Sequence, residues 1–290
     1  MYKLNSNLIG KAVPEIVHEL TWRKITNYAA GLEDLNPLYM DDKNTEGIVA
    51  HPLYPVAATW PVIQAMPEFL SDVVPFEVFS KMVHFTEHLE LRRLIKGSDK
   101  LSINGQVVAV IPGKSGTIVV TRLDACDLKG EPVFTEHIGG MFRGVECEDE
   151  GGGIDDIPQM FAKCQTQTPS WSHEVEISSN LPYVYDACSN IVFPIHTSPA
   201  FAQMVGLPGI ILQGTCTLAL AVKELVNTEL NGDPRLIKSI GCNFGAMVLP
   251  GSNIKIELLE NHQEEPGRRL CFQVLNQKGE VAIKNGFLLL

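Results

Sequence analysis

The stretch LTWRKITNYAAGLEDLNPLYMDD (20–42) lies over ISSNLPYVYDACSNIVFPIHTSP (177–199) at a constant offset of 157. The match sets Thr21 on Ser178, Tyr28 on Tyr185, Pro37 on Pro194 and Tyr39 on His196. Two further matches follow in the same order. KGSDKLSI (96–103) lies over PGSNIKIE (250–257), and LKGEPVF (128–134) over QKGEVAI (277–283), with offsets of 154 and 149. Three matches in one order indicate a duplicated chain whose halves fold alike.

The halves meet at ECEDEGGGIDDIP (146–158), whose acidic charge and three glycines read as an exposed, flexible linker. This divides the chain into a first half, 1–145, and a second half, 159–290. Within each half a Ser or Thr starts a short helix, the usual choice for capping free N–H groups. A segment with Asn-Pro or Phe-Pro follows, and then a longer apolar helix: TWPVIQAMPEFL (59–70) or GTCTLALAVKELV (214–226). Alternating strands close the half, among them DKLSINGQVVAVI (99–111), GTIVVTRLDAC (116–126), NIKIELLE (253–260) and RLCFQVLN (269–276). Their period of two indicates antiparallel pairing, and helix followed by hairpins gives an α+β class.

Composition narrows the function classes. The chain has 290 residues, 45% hydrophobic and 20% charged, as a soluble globular protein does. A net charge of −11 argues against nucleic acid, which requires clustered Lys and Arg. No apolar run reaches the roughly 18 to 20 residues of a bilayer span, so no membrane association is expected. The seven cysteines include no CxxC pair and fit a reducing compartment without structural zinc or disulfides. The start, MYKLNSNLIGK, is too polar for a secretory signal, and the terminal Leu-Leu-Leu is no organelle address, so a cytoplasmic location is expected.

The order helix, Pro-containing loop, buried helix and antiparallel strands resembles the hotdog fold. LEDLNPLYMDD (32–42) resembles the DNPLYxD segment of N-terminal halves of MaoC-like dehydratases. FPIHTSPAFAQMVGLPGIILQGTCTLA (193–219) resembles the hydratase motif SGDxNPLHxDPxxAxxxGFxxPIxHGM, and Lys-Gly-Ser or Pro-Gly-Ser before a strand resembles the family's PGD segment. The resemblance to MaoC-like (3R)-specific enoyl-CoA hydratases implies a double hotdog, two fused halves each with a buried helix wrapped by an antiparallel sheet. It implies reversible hydration of a trans-2-enoyl-CoA, or dehydration of the (3R)-3-hydroxyacyl-CoA. No cofactor is expected beyond the coenzyme A of the acyl-CoA thioester substrate, and no metal. Pairing of edge strands across a pseudo-two-fold is expected, and further homodimerisation is left open.

The same resemblance assigns roles. His196 takes the catalytic His position, and Gly214, eighteen residues later, the oxyanion position at a helix start. Gln213 and Thr215 beside it are expected to line the substrate. The family's Asp, five residues before the His, is Ile191; its Asn is Phe193, its later Asp is Ser198, and its His before the glycine is Gln213. The first half keeps Asp34, Asn36 and Asp41 but has Tyr39 at the His position. Asp34 is a candidate second carboxylate, or else an Asx-turn residue before Asn36-Pro37. Asp186, Tyr185 and Ser189 precede His196 and are further candidates for the missing acid.

Arg92 and Arg93, with Lys96 and Lys100, form the densest basic cluster, read either as a solvated face or as a contact for coenzyme A phosphates. His84 and His88 are expected exposed beside a strand. The incomplete motif keeps two alternatives beside the hydratase: a non-catalytic or partner-dependent acyl-CoA-binding protein, and a thioesterase.

Overall fold

The computed structural model describes residues 2–158, 164, 166, 168–264 and 267–290. The first half carries β1 (Ala12–Glu19), α1 (Trp22–Ala30), α2 (Pro37–Met40), α3 (Tyr54–Phe69), α4 (Phe76–Phe79), β2 (Met82–Leu91), β3 (Lys100–Gly113), β4 (Gly116–Asp127) and β5 (Pro132–Arg143). The second carries β6 (Trp171–Ile177), α5 (Leu181–Ser189), α6 (Pro199–Met204), α7 (Gly214–Glu229), β7 (Ser239–Phe244), β8 (Ser252–Glu264), β9 (Gly267–Leu275) and β10 (Val281–Leu289).

All ten strands join one antiparallel sheet in the order β1-β3-β4-β5-β2-β7-β10-β9-β8-β6. Read from either end the order is the same with β1 replaced by β6, β2 by β7, and so on, which is the double hotdog. The seam is the pairing of β2 with β7, where Glu87 faces Cys242 and Leu89 faces Ile240. Edge strands of the halves thus bury each other's free backbone groups, as expected.

Helices α3 and α7 pack on the sheet, α3 against β1 and β5 and α7 against β10. Val56, Ala57, Ala58, Thr59, Val62, Ile63 and Met66 of α3 are buried, as is α7 from Thr215 to Val222. Small residues let these helices approach closely, and one apolar core runs across both halves.

Three expectations change. Thr21 does cap α1, accepting the N–H of Lys24. Ser178, its counterpart, does not cap α5: that helix starts at Leu181, with Pro182 in its first turn, where a missing N–H costs nothing. The linker 146–158 is tied down rather than loose. Gly152 bridges Val110 of β3, Leu4 bridges Cys147, and Asp149 accepts from the Ser6 backbone and hydroxyl. Gly151 and Gly153 have φ of +69° and +75°, and a Cβ there would lie 2.1 Å from the Val110 carbonyl and 1.9 Å from that of Val108. The glycines therefore serve close backbone approach as well as turning. His84 and His88 are not exposed. They lie on β2, flanked on both sides by strands, so His84 is half-buried and His88 is buried opposite His137.

Candidate active site

His196 ends a single 3-10 turn, Pro194–His196, that Pro194 begins. Its Nδ1 donates to the Ile211 carbonyl at 2.8 Å. A carbonyl can only accept, so Nδ1 carries the proton and Nε2 presents a lone pair. Burial, partly offset by the Ile211 bond, lowers the imidazole pKa to about 4, so the ring is neutral at pH 7. No family carboxylate supports it: Ile191 at that position is a buried apolar residue.

Ile211 stands three residues before Gly214, the first residue of α7. The loop that orients the imidazole is thus the loop that ends on the helix start. N–H groups of a first helical turn have no partner within the helix and carry partial positive charge. Gly214 is required sterically as well, since a Cβ there would meet the Phe244 ring at 2.8 Å.

Gln213 is buried and donates through Nε2 to the Pro182 carbonyl at 3.0 Å, so its amide holds α5 against the start of α7. The Thr215 hydroxyl lies 3.3 Å from that of Tyr185. The structure thus ties His196 to the loop that leads into Gln213, Gly214 and Thr215.

Of the other candidates, Tyr185, Asp186 and Ser189 lie on α5, which packs against the turn carrying His196, whereas Asp34, Arg92 and Arg93 belong to the first half. Asp34 is buried in the corresponding loop of the first half, where Oδ1 accepts the Asn36 N–H at 3.1 Å in an Asx turn. Burial raises its pKa, against the Asn36 bond and the Lys223 charge, which lower it. Arg93 forks onto Asp99 at 2.6 and 3.2 Å, and Arg92 pairs with Glu90 at 3.3 Å. Asp186 on α5 is half-buried, and burial raises its pKa. A surface hollow of about 480 Å³ between Glu174, Ser252, Lys255 and Gln277 shares no residue with the site.

Two groups escaped the sequence reading. Glu87 on β2 and Glu136 on β5 are fully buried, and burial holds both carboxyls well above their usual range. His84 Nε2 lies 3.1 Å from Glu87 Oε2, and the His84 ring packs on Phe244 at 4.5 Å between centroids. A signal existed: each Glu sits in the tripeptide Thr-Glu-His, and Glu136 lies between Phe134 and Ile138 at the inward positions of an alternating strand. Elsewhere, donor atoms of Cys164, Glu260 and Cys271 lie within 4.8 Å of one another. Arg269 stands beside the two thiols, and its positive charge opposes a cation there.

Comparison with known proteins follows the same division. Residues 161–281 match the MaoC like domain, and residues 7–136 match the FAS1-like dehydratase domain region. The chain is 25% identical over 293 residues to the peroxisomal multifunctional enzyme type 2 of Drosophila melanogaster, covering 96% of this chain and 47% of that protein. It is 38% identical over 65 residues to the peroxisomal enoyl-CoA hydratase 2 of Arabidopsis thaliana, covering 22% of this chain and 21% of that one. The structure resembles the MaoC-like dehydratase of Phytophthora capsici with a TM-score of 0.82 and 25% identity, covering 99% and 97% of the two chains. This chain thus spans about half the length of the Drosophila relative and a smaller share of the Arabidopsis one. The second half of the chain thus carries a MaoC like domain, and the first half a FAS1-like dehydratase domain region.

Proposed function

We propose that this chain hydrates a trans-2-enoyl-CoA and, in reverse, dehydrates the (3R)-3-hydroxyacyl-CoA. One observation carries the reading: the Ile211 carbonyl fixes His196 as a neutral base on the loop that ends at Gly214. In the forward direction Nε2 takes a proton from water as the water oxygen bonds to C3. The electron pair of the C2–C3 double bond moves onto the thioester, and the first N–H of α7 faces the oxygen that becomes negative. The imidazolium then returns its proton to C2, so a single His balances the reaction without the absent Asp.

The test is loss of the enoyl absorbance with crotonyl-CoA and with a longer or branched enoyl-CoA, beside His196→Ala. Turnover abolished in the variant supports the reading; turnover undiminished removes it. A second reading, an acyl-CoA-binding protein without turnover, is favoured by Ile191, whose side chain cannot polarise an imidazole. It predicts acyl-CoA binding by calorimetry with no absorbance change.

No helix among the described residues is long and apolar enough to cross a membrane. Both relatives named above carry "peroxisomal" in their names, so cell fractionation is the test of the cytoplasmic placement, and sedimentation is the test of a homodimer.

A further inference from the structure

The loop that carries His196 is held at its other end by the opposite half of the chain. On α3, Trp60 and Gln64 are four residues apart and so project from one face of the helix. The Trp60 indole N–H donates to the Val192 carbonyl at 3.1 Å, and the Gln64 amide donates to the same oxygen at 3.2 Å. A carbonyl has two lone pairs, and both are used. Val192 follows the buried Ile191 and stands four residues before His196. The segment from 192 to 196 is therefore fixed at its start by the first half and at its end by Ile211.

A reverse contact exists on the motif loop of the first half. Lys223, on α7 of the second half, donates to the Leu32 carbonyl at 3.1 Å and the Glu33 carbonyl at 3.0 Å. Asn36 adds a bond to the Gly232 carbonyl at 2.7 Å. Each half thus clamps the motif loop of the other with side chains from the middle of its buried helix. The two clamps grip different points of the repeat, since Val192 aligns with Leu35, and their cargo differs: one loop carries His196 and the other Tyr39.

We infer that Trp60 and Gln64 are positioning residues for His196, acting across the seam through the Val192 carbonyl. This rests on the hydratase reading for its kinetic consequence and on hydrogen bonds alone for its structural one. It gives the first half, which lacks the His, a part in the reaction: it sets the height and tilt of the loop that holds the base. A misplacement of about 1 Å in a catalytic group is enough to cost a large factor in rate.

The test compares Trp60→Phe, Gln64→Ala and their double variant with Lys223→Met, the equivalent lesion to the other clamp. The double variant is expected to lose about tenfold in kcat with KM nearly unchanged, since the base and not the acyl pocket is displaced. The acid limb of its kcat/KM profile should move up from about 4, because a looser loop admits water to the imidazole. Lys223→Met should keep the wild-type kcat and limb. Wild-type kinetics in the double variant, or an equal loss in Lys223→Met, overturns the inference.

Should the double variant fail to fold, Gln64→Ala alone serves, as Gln64 is exposed. Should the wild type hydrate no enoyl-CoA, the hydratase reading falls by itself. The clamp is then read by hydrogen–deuterium exchange over residues 190–198, expected faster in the double variant than in Lys223→Met. Equal exchange overturns it.

Discussion

The hydroxyls of Tyr28 and Tyr185 meet at 3.2 Å although the residues stand 157 apart in sequence, the same distance that separates the two copies of the repeat. Each is the other's counterpart, and their contact lies where the pseudo-two-fold passes between α1 and α5. Both residues are fully buried, and burial holds both phenols in the protonated form. The run of hydroxyls extends to Thr215 beside Gly214 at one end and to the Leu53 carbonyl before α3 at the other. It therefore links the starts of the two buried helices.

Removing one hydroxyl should strand its neighbours. Tyr185→Phe and Tyr28→Phe are each expected to cost about 1–2 kcal/mol of unfolding free energy, because a buried polar group loses its partner. The double variant should cost less than the sum, since the second deletion removes the stranded group. Urea midpoints of the four proteins give the coupling, and strict additivity would show that the contact contributes nothing.

Glu87 and Glu136 make stability depend on pH in an unusual direction. Folding raises both carboxyl pKa values, through desolvation first and, for Glu136, the Glu87 charge next. The charged and titratable groups around them are His84 on the same strand, Tyr185 on α5 and Cys242 on β7, with the Thr59 hydroxyl on α3. A raised carboxyl contributes most below the unfolded value of about 4.3 and loses that contribution as pH rises through the folded value. Unfolding free energy should therefore fall from pH 5 toward pH 9, and Glu87→Gln with Glu136→Gln should flatten the slope. A slope unchanged in the double variant would assign the dependence to other groups.

Much of this was legible in the sequence because duplication is written in spacing, and spacing survives where identity does not. Pro194 could be placed by the offset of the repeat and Gly214 by the resemblance to the hydratase motif, and the period-two strands followed from alternation. The Glu pair was harder to read, since a Glu in a strand is ordinarily an outward residue; the apolar neighbours of Glu136 were the signal, and the fold shows both carboxyls buried. The linker misled for a related reason. Glycines read as freedom, yet Gly151 and Gly153 are there because β3 approaches too closely for a side chain. Arg92 and Arg93 were drawn together by sequence proximity, but Asp99 and Glu90 are equally near and take their charges.

Gly214→Ala tests whether the helix start is shaped for close approach. Its Cβ would stand 2.8 Å from Phe244 Cδ1, so the ring must move, and Phe244 is also the ring on which His84 packs. A stability loss of about 1–3 kcal/mol is expected, as for other overpacked sites. Phe244→Leu in the same chain should recover much of it by vacating the ring. A thermal scan showing Gly214→Ala as stable as wild type would mean that the ring yields freely.

His196 provides the sharpest pH prediction. Burial lowers its pKa from 6.5 to about 4, so the fold favours the neutral ring. Between those values the unfolded chain binds the proton more readily than the folded one. Its contribution to stability is therefore full above pH 6.5, declines as pH falls toward 4, and is constant below. On the hydratase reading the same neutral ring is the base, so kcat/KM should stay level from pH 8 down to about 5.5 and fall only as the pH nears 4. A nitrogen-detected titration of the imidazole measures the value directly. Protonation with a midpoint near 6.5 would place the ring in contact with water, and the loop between Val192 and Ile211 would then be open in solution.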